Sequence, residues 1–527
     1  MRKSIKNLEL GFSDAQNYTQ RENKEMFSNI FVKNSYLDLL SKSNIYYLIG
    51  EKGTGKTAYA AYLNNFGDGV NTFALKFISS TDYEKFYELK KRKQIDISGY
   101  VDIWKVILLL IFSDYITKQD VASLPFGFQH VRTLRSVIDE YYQKAFSPEI
   151  INALKITDQS GYMAKLISEH FEGEKTSGST IESTEQQLQM NLYYICQKFS
   201  DCIRKIKLKK NITILIDGID IRPSQIPYLD YIDCIRGLSN ACWSLNTELF
   251  ANVKDSKGHC RIVLLLRPDI YNSLNLQNAA NKLADNAVFL EWRTTYSDYK
   301  TSYLYKMANR LLSYNQEKNI FPDIWEEYFD WDIPSSNLKA RKKDTAFTEF
   351  LKISLSRPRD IQRILSILRN IMTQKGIDSQ DKFDYSVFQS NQFQNEYSEY
   401  FLSSLKDQLS FYYSEEEYIH FRKFFDYFDS PQFSFDEYHN IYNQYLDYIM
   451  DNAPEIPEFM ESPKSFLQLL YNSNIIVAIE KDGKYFHFSY REKSPSNIAP
   501  MVLYSPDIQY RFHYGLYKKA KLGRYNN

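Results

Sequence analysis

The sequence predicts an α/β protein built around a parallel β-sheet, and three observations carry this prediction. Short runs of aliphatic, β-branched and aromatic residues recur at Ile45–Ile49, Ile212–Ile216 and Ile262–Leu266, as expected of strands that are buried on both faces. Each run is followed at once by a glycine or a charged residue. The segments between the runs carry apolar residues at helical spacing, and this alternation of strand and helix is typical of a parallel sheet covered by helices.

The first run leads into a glycine-rich segment with the pattern G-x-x-x-x-G-K-T. Its glycines allow successive backbone N–H groups to converge on phosphate oxygens, and the following helix adds its positive end. Lys56 is expected to reach the β- and γ-phosphates, and the Thr57 hydroxyl to bind Mg²⁺. The alternative is an ordinary glycine-rich turn, but the strand before and the helix after favour phosphate binding. The residues predicted to bind the nucleotide here are Gly50, Glu51, Lys52, Gly53, Thr54, Gly55, Lys56, Thr57 and Ala58.

A second predicted site carries carboxylates and lies where the run from Asn211 ends in Asp217-Gly218-Ile219-Asp220. A central parallel strand ending in an aspartate places that carboxylate beside a phosphate loop, so Asp217 suits the Walker B role as a magnesium anchor. Asp220 follows the strand and is a candidate for orienting or deprotonating the attacking water. ATP with Mg²⁺ is therefore the expected cofactor pair. GTP stays open, although no N-K-x-D motif follows the strands.

Arginines mark two further positions. Arg267 directly follows the strand run Ile262–Leu266 and is a candidate for sensing the γ-phosphate or acting on the nucleotide of a neighbouring subunit. The alternative for Arg267 is an ion pair with Asp269 or a helix end. The stretch Arg357-Pro358-Arg359-Asp360 begins a predicted helix with arginines at its amino end.

The carboxyl-terminal part has three helical patterns, Glu415–Phe428, Phe435–Met450 and Pro463–Tyr471, followed by an Asp-Gly turn between the alternating runs Ile475–Glu480 and Tyr485–Arg491. An Asp-Gly between two such runs predicts a β-hairpin. Three helices followed by a hairpin is the order of a winged helix.

Composition limits the function classes. The 527 residues contain 65 Lys and Arg and 65 Asp and Glu, so no overall basic field points to nucleic acid as an obligatory partner. The five cysteines form no C-x-x-C pair and no apolar leader is present, so we expect neither structural zinc nor disulfides, and we expect a cytoplasmic location. The longest apolar run, Val106–Phe112, is too short to cross a membrane.

Together these motifs resemble bacterial P-loop ATPases of the STAND/AAA-like group, and the resemblance covers most of the chain. It implies that Arg267 matches a sensor or finger arginine and that Arg359 is a second sensor at the start of a lid, binding the nucleotide. It also implies nucleotide-dependent homo-oligomers and, for many relatives, bacterial stress signalling or defence against phage. Gly218 stands where AAA-type enzymes usually carry glutamate next to the Walker B aspartate, which leaves the catalytic base open.

The predicted organisation has four parts. An N-terminal segment that packs on the core is followed by a P-loop ATPase core with a helical insertion, a helical lid, and a winged-helix-like region. Their predicted bounds are 1–44, 45–335 with the insertion at about 100–210, 336–396 and 397–527.

Two functions from different classes fit this organisation. The first is an ATP-hydrolysing switch whose nucleotide state controls oligomerisation or an effector protein. The second is an ATP-dependent DNA-binding protein resembling origin-recognition ATPases. The third helix of the winged-helix-like region, Pro463–Asn472, offers Lys464 and Gln468 among many apolar residues, which favours the switch because Lys and Arg supply most non-specific DNA affinity. A small-molecule kinase is a third hypothesis, weakened by the appended tail.

Overall fold

The structure is a computed structural model. It describes residues 2–516 with internal gaps, which are 70, 79–96, 119–131, 135, 137–184, 224–225, 254–255, 315, 317–322, 332, 334–343, 454, 458–459, 481–482 and 484.

The chain forms two compact units that do not follow chain order. We call the first the sheet unit; it contains Ser35–Ile49 and Tyr59–Val288. We call the second the loop unit; it contains Met1–Asn34, Gly50–Ala58 and Phe289–Asn527. The glycine-rich segment therefore belongs to the loop unit, although the strand that precedes it belongs to the sheet unit.

A five-stranded sheet, in which every described strand pairing is parallel, organises the sheet unit and confirms the predicted α/β class. Its strand order is β2-β3-β4-β1-β5. Strands β3 and β4 are buried along almost their whole length, which explains their nearly uninterrupted apolar sequences. The strands are β1 (Tyr47–Ile49), β2 (Asn71–Phe77), β3 (Asn211–Asp217), β4 (Cys260–Leu266) and β5 (Ala287–Phe289).

Helices connect these strands. The α-helices that precede or join them are α1 (Lys24–Ile30), α2 (Ser35–Leu40), α3 (Lys56–Phe66), α4 (Ile97–Lys118), α5 (Glu185–Lys205), α6 (Tyr228–Ser244), α7 (Pro268–Ser273) and α8 (Ala279–Asn286). Helix α6 continues into a π-helical turn at Leu245–Leu249. Helices α4 and α6 pack closely, because a Cβ on Gly237 would lie 2.6 Å from the Cβ of Tyr100.

The loop unit is helical apart from one small antiparallel sheet. Its later α-helices are α9 (Tyr303–Ser313), α10 (Ile324–Tyr328), α11 (Ala346–Ile353), α12 (Pro358–Gln374), α13 (Tyr385–Gln389), α14 (Asn391–Leu409), α15 (Glu415–Lys423), α16 (Phe435–Asn452), α17 (Pro463–Asn472) and α18 (Ser489–Glu492). The sheet has the order β6-β9-β7-β8. Its strands are β6 (Gln432–Ser434), β7 (Ile476–Glu480), β8 (Phe486–His487) and β9 (Ile508–Phe512).

The N-terminal segment packs within the loop unit. Backbone N–H groups of Ile5 and Lys6 donate to the carbonyls of Gln380 and Asp378, at 3.0 and 2.9 Å. Further along, Arg369 of α12 donates to the carbonyl of Leu8 at 2.8 Å. The segment is therefore tied to α12 and to the loop that follows it.

The predicted hairpin is present, but its second strand is shorter than the sequence pattern indicated. Ile479 pairs with Phe486 and Ala478 with His487. The alternation of Tyr485–Arg491 predicted a longer strand, and this prediction is wrong because Ser489–Glu492 forms a helix. On its other edge β7 pairs over a longer stretch with β9, which comes later in the chain.

Several segments of the sequence lie outside the described residues. They are the basic cluster 90–93, most of 131–146, where the apolar spacing predicts a helix, the polar stretch 172–184, the connection 339–343 and the basic residues 518–524. Among the residues that the structure does describe, no helix is long and apolar enough to cross a membrane.

Candidate functional site: the glycine-rich loop and the strand ends

The glycine-rich loop begins directly after β1 and ends where α3 starts at Lys56. Gly53 and Gly55 have φ angles of +87° and +91°, which side chains rarely tolerate. A Cβ on Gly50 would lie 2.5 Å from the Thr54 hydroxyl oxygen. All three glycines of the motif are therefore required by the shape of the loop.

Donors from distant parts of the loop unit hold the backbone carbonyls of this loop. Arg357 donates through one guanidinium nitrogen to the carbonyl of Lys52 at 2.8 Å. The indole Nε1 of Trp292 donates to the carbonyl of Thr54, also at 2.8 Å. In a trans peptide the C=O of one residue points opposite to the N–H of the next. Fixing these two carbonyls therefore fixes the opposite direction for the N–H groups of Gly53 and Gly55.

The cation of the motif lies against the loop itself. The Nζ of Lys56 donates to the carbonyl of Gly50 at 2.9 Å, and Lys56 is buried. An ammonium group bonded to carbonyl oxygens can exchange them for phosphate oxygens, which are stronger acceptors because they are charged. Thr57 lies in the first turn of α3 and is half-buried, at the helix end where anions bind most readily.

Arg357 is itself anchored by a buried carboxylate. Its Nε and its second terminal nitrogen each lie 3.0 Å from the oxygens of Asp360. Asp360 is 0% exposed and also accepts bonds from the N–H of Leu355 and the hydroxyl of Tyr400, at 2.9 and 2.7 Å. Burial disfavours the charged guanidinium, but the Asp360 carboxylate outweighs burial and raises the pKa of Arg357. Arg357 is therefore a permanently charged support for the loop.

Arg359, the predicted nucleotide sensor, lies beside the loop. Its backbone N–H faces the carbonyl of Gly53 at 3.4 Å, and its Cβ lies 3.3 Å from a Cβ placed on Gly53. Its Nε donates to the carbonyl of Ser13 at 3.2 Å. Arg359 therefore contacts both the loop and the N-terminal segment Gly11–Ala15.

The loop also carries charged side chains with partners far along the chain. The carboxylate of Glu51 forms an ion pair with Lys493. Lys52 forms another with Asp407, at 3.0 Å. Glu51 and Lys493 are separated by 442 positions, so no local pattern could reveal Lys493. No local pattern marked Trp292 as a partner of the loop either.

In the sheet unit, the carboxyl ends of three strands meet at one edge. Ile49 of β1 pairs with Leu266 of β4, and Leu264 of β4 pairs with Ile216 of β3. Asp217 is the last residue of β3 and is buried, with its Oδ1 accepting from the N–H of Gly218 at 2.8 Å. The predicted magnesium anchor therefore lies at the edge where β1 also ends.

Gly218 cannot carry a side chain here. Its φ is +92°, and a Cβ would lie 2.4 Å from the carbonyl oxygen of Ile78. This geometry explains why glycine occupies the position where AAA-type enzymes usually have glutamate. Gly218 therefore cannot contribute a side chain to the predicted site.

Asp220 lies on a turn that one tyrosine fixes. The hydroxyl of Tyr231 in α6 lies 2.8 Å from the carbonyl of Ile219 and 3.1 Å from that of Ile221. Asp220 between them is half-buried. The candidate base is thus held on a supported backbone rather than in a long open loop.

Arg267 follows β4 and precedes α7, as predicted, but its surroundings favour the simpler alternative. Its Nε and a terminal nitrogen bind the two oxygens of Asp269, at 3.0 and 2.5 Å. Arg267 is 0% exposed. An arginine that acts on a neighbouring subunit must reach the surface, so this burial argues for a role inside its own unit.

Comparison with protein-family models finds no match, and no curated protein matches closely enough to count as a relative. Within the described ranges, no group of three or more His, Cys, Asp and Glu side chains is arranged to hold a metal ion.

Proposed function

We propose that this protein binds ATP with Mg²⁺ at the Gly50–Ala58 loop and hydrolyses it slowly. The supporting observation is the loop itself, in which glycines adopt left-handed conformations while Arg357 and Trp292 hold the carbonyls from outside. That arrangement aims N–H groups away from those two supports, as a phosphate cradle requires. Lys56 supplies the cation, and Arg359 lies close enough to the loop to contact a bound nucleotide.

The strand ends supply the remaining roles in this proposal. The chain runs directly from β1 into the loop, and β1 ends at the sheet edge where Asp217 and Arg267 also lie. In this proposal Thr57 and Asp217 would be the residues that hold Mg²⁺, and the ion would screen the charge of the phosphates. Asp220 orients or deprotonates the attacking water, because Gly218 leaves no side chain for this task.

We infer that the nucleotide state acts as a switch, controlling homo-oligomerisation or an effector protein. The carboxyl-terminal region supports this over DNA reading. Helices α15, α16 and α17 followed by the β7–β8 hairpin fit a winged-helix-like arrangement. In α17, however, the amide of Gln468 already donates to the carbonyl of Pro500 and accepts from the N–H of Val502, each at 2.9 Å. Because the Gln468 amide is already hydrogen-bonded within the protein, and Lys464 is the one charged side chain of α17, the helix is a poor reader of base edges.

Nucleotide titration by calorimetry tests the central proposal. Wild-type protein should bind ATP with Mg²⁺, and Lys56→Ala should weaken binding about 10- to 150-fold, because a charge-assisted hydrogen bond contributes about 1.5–3 kcal/mol. Lys300→Ala is the matched control, since Lys300 is exposed and pairs with Glu326. Equal affinity of Lys56→Ala and wild type would show that the loop does not bind phosphate.

Phosphate release and particle mass test the remaining steps. Asp220→Asn should retain ATP affinity but slow hydrolysis by about 10²–10⁴, because the amide cannot accept a proton. Particle mass measured with and without a non-hydrolysable ATP analogue, and again with duplex DNA, separates the switch from the DNA-binding alternative. A complex that forms only when DNA is present would favour DNA binding.

A further inference from the structure

A buried carboxylate lies within the proposed phosphate-binding loop. The side chain of Glu51 is 12% exposed, and that of its partner Lys493 is 3% exposed. The second carboxylate oxygen of Glu51, Oε2, is buried and has no hydrogen-bond partner among the described residues. Lys493 is therefore the main compensation for the charge of Glu51.

We propose that Lys493 is a positioning residue that neutralises Glu51 and thereby sets the affinity of the loop for polyphosphate. This inference rests on the proposed ATP-binding function. A loop that attracts phosphate through N–H groups and Lys56 loses part of that attraction if it also carries an uncompensated carboxylate. Arg357 also attracts Glu51, but the nearer carboxylate of Asp360 offsets most of its charge.

Lys493 is held so that it cannot easily leave Glu51. Its Nζ also donates to the carbonyl of Asn472 at 2.9 Å, and its backbone N–H donates to Ser489 of α18 at 3.1 Å. The preceding residue, Glu492, accepts bonds from Tyr471 and His487, both at 2.9 Å. The ammonium group is thus fixed by α17, α18 and the β7–β8 hairpin.

This arrangement makes nucleotide affinity depend on the placement of a carboxyl-terminal segment. If docking of Lys493 raises ATP affinity by some factor, bound ATP must raise the docking equilibrium by the same factor. The Glu51–Lys493 pair therefore couples phosphate binding at the loop to the docking of the segment that carries Lys493, next to the β7–β8 hairpin.

A double-mutant cycle in the full-length chain tests the inference, using Lys493→Met, Glu51→Gln and the combination, with MgATP and AMP as ligands. Lys493→Met should weaken MgATP binding about 10- to 100-fold through charge repulsion at an effective dielectric constant near 20. Glu51→Gln should bind MgATP more tightly than wild type, because the Lys493 cation then lacks its opposing carboxylate. The double variant should return to within about threefold of wild type, since the two opposite charges are removed together.

The readouts separate charge neutralisation from damage to the fold. The effect of Lys493→Met should be smaller for AMP, which carries less charge than ATP, and should shrink as salt rises. Failure of the double variant to recover affinity relative to Lys493→Met, or equal losses for AMP and MgATP, would overturn the inference while leaving the proposed function intact. If wild-type protein fails to bind MgATP, the proposed function is wrong and this inference fails with it. Glu51→Gln keeps the test decisive even if Lys493→Met misfolds, because weaker MgATP binding by Glu51→Gln would contradict neutralisation directly.

Discussion

Replacing Arg357 with methionine should destabilise the loop unit strongly and loosen the glycine-rich loop. The substitution removes both bonds to Asp360 and the bond to the Lys52 carbonyl. Asp360 is 0% exposed, so its charge would stay buried with only the Tyr400 hydroxyl and the Leu355 N–H as partners among those described.

Breaking a buried ion pair by removing one partner costs about 3–5 kcal/mol. We expect the lower half of that range, because two neutral donors still bind the carboxylate. At roughly 2–4 °C per kcal/mol for domains of about 150–250 residues, the melting temperature should fall by roughly 6–16 °C. The lost bond to the loop should also weaken ATP binding.

Thermal unfolding without nucleotide measures the stability effect, and nucleotide titration below the melting range measures the loop effect. Lys352→Met is the matched control, because Lys352 pairs with Asp344 and Glu349 at a site that is 25% exposed. A partly exposed pair contributes about 0–1 kcal/mol. Arg357→Met combined with Asp360→Asn should recover much of the loss, since no buried charge remains.

Two outcomes would refute this reasoning. If Arg357→Met melts within about 2 °C of wild type, the buried pair does not support the fold. If the double variant is no more stable than Arg357→Met, the penalty does not come from the charge of Asp360.

Three further predictions concern other sites. Burial, together with nearby arginines, lowers the pKa of His513 to about 3, against 6.5 for the ordinary group. Because the folded pKa lies below the unfolded value, the free energy of unfolding should fall as pH falls below about 6.5, by about 2 kcal/mol between pH 7.5 and 5. Denaturant titrations of His513→Phe should lack this pH dependence. Gly218→Ala should cost roughly 1–3 kcal/mol by thermal unfolding because its Cβ meets a backbone carbonyl, whereas Gly69→Ala, with a similar φ and open space, should cost less. Mixing Arg267→Ala with Lys56→Ala protein should restore no ATPase activity, since Arg267 is fully buried; recovered activity would place it at a subunit interface.

The sequence by itself determined the parallel sheet and the positions at which β1, β3 and β4 end. Runs such as Ile212–Ile216 are buried on both faces, and this burial leaves a strong local signal. The positive φ angles of Gly53 and Gly55 were equally predictable from the sequence, because they depend on the local backbone. The short helix at Ser489–Glu492 was misread as strand, since a few residues carry too little periodicity to distinguish the two.

Only the tertiary structure decided what surrounds the loop. Trp292, Arg357 and Lys493 all reach the segment Glu51–Thr54 from distant parts of the chain, and such contacts leave no trace in local periodicity or spacing. The same is true of Arg267: the sequence offered a phosphate sensor or an ion pair with Asp269, and burial at the end of β4 produced the ion pair. Local sequence specifies a strand, a turn or a cap, whereas the partner of a charged side chain is chosen by whichever distant group folding brings within reach.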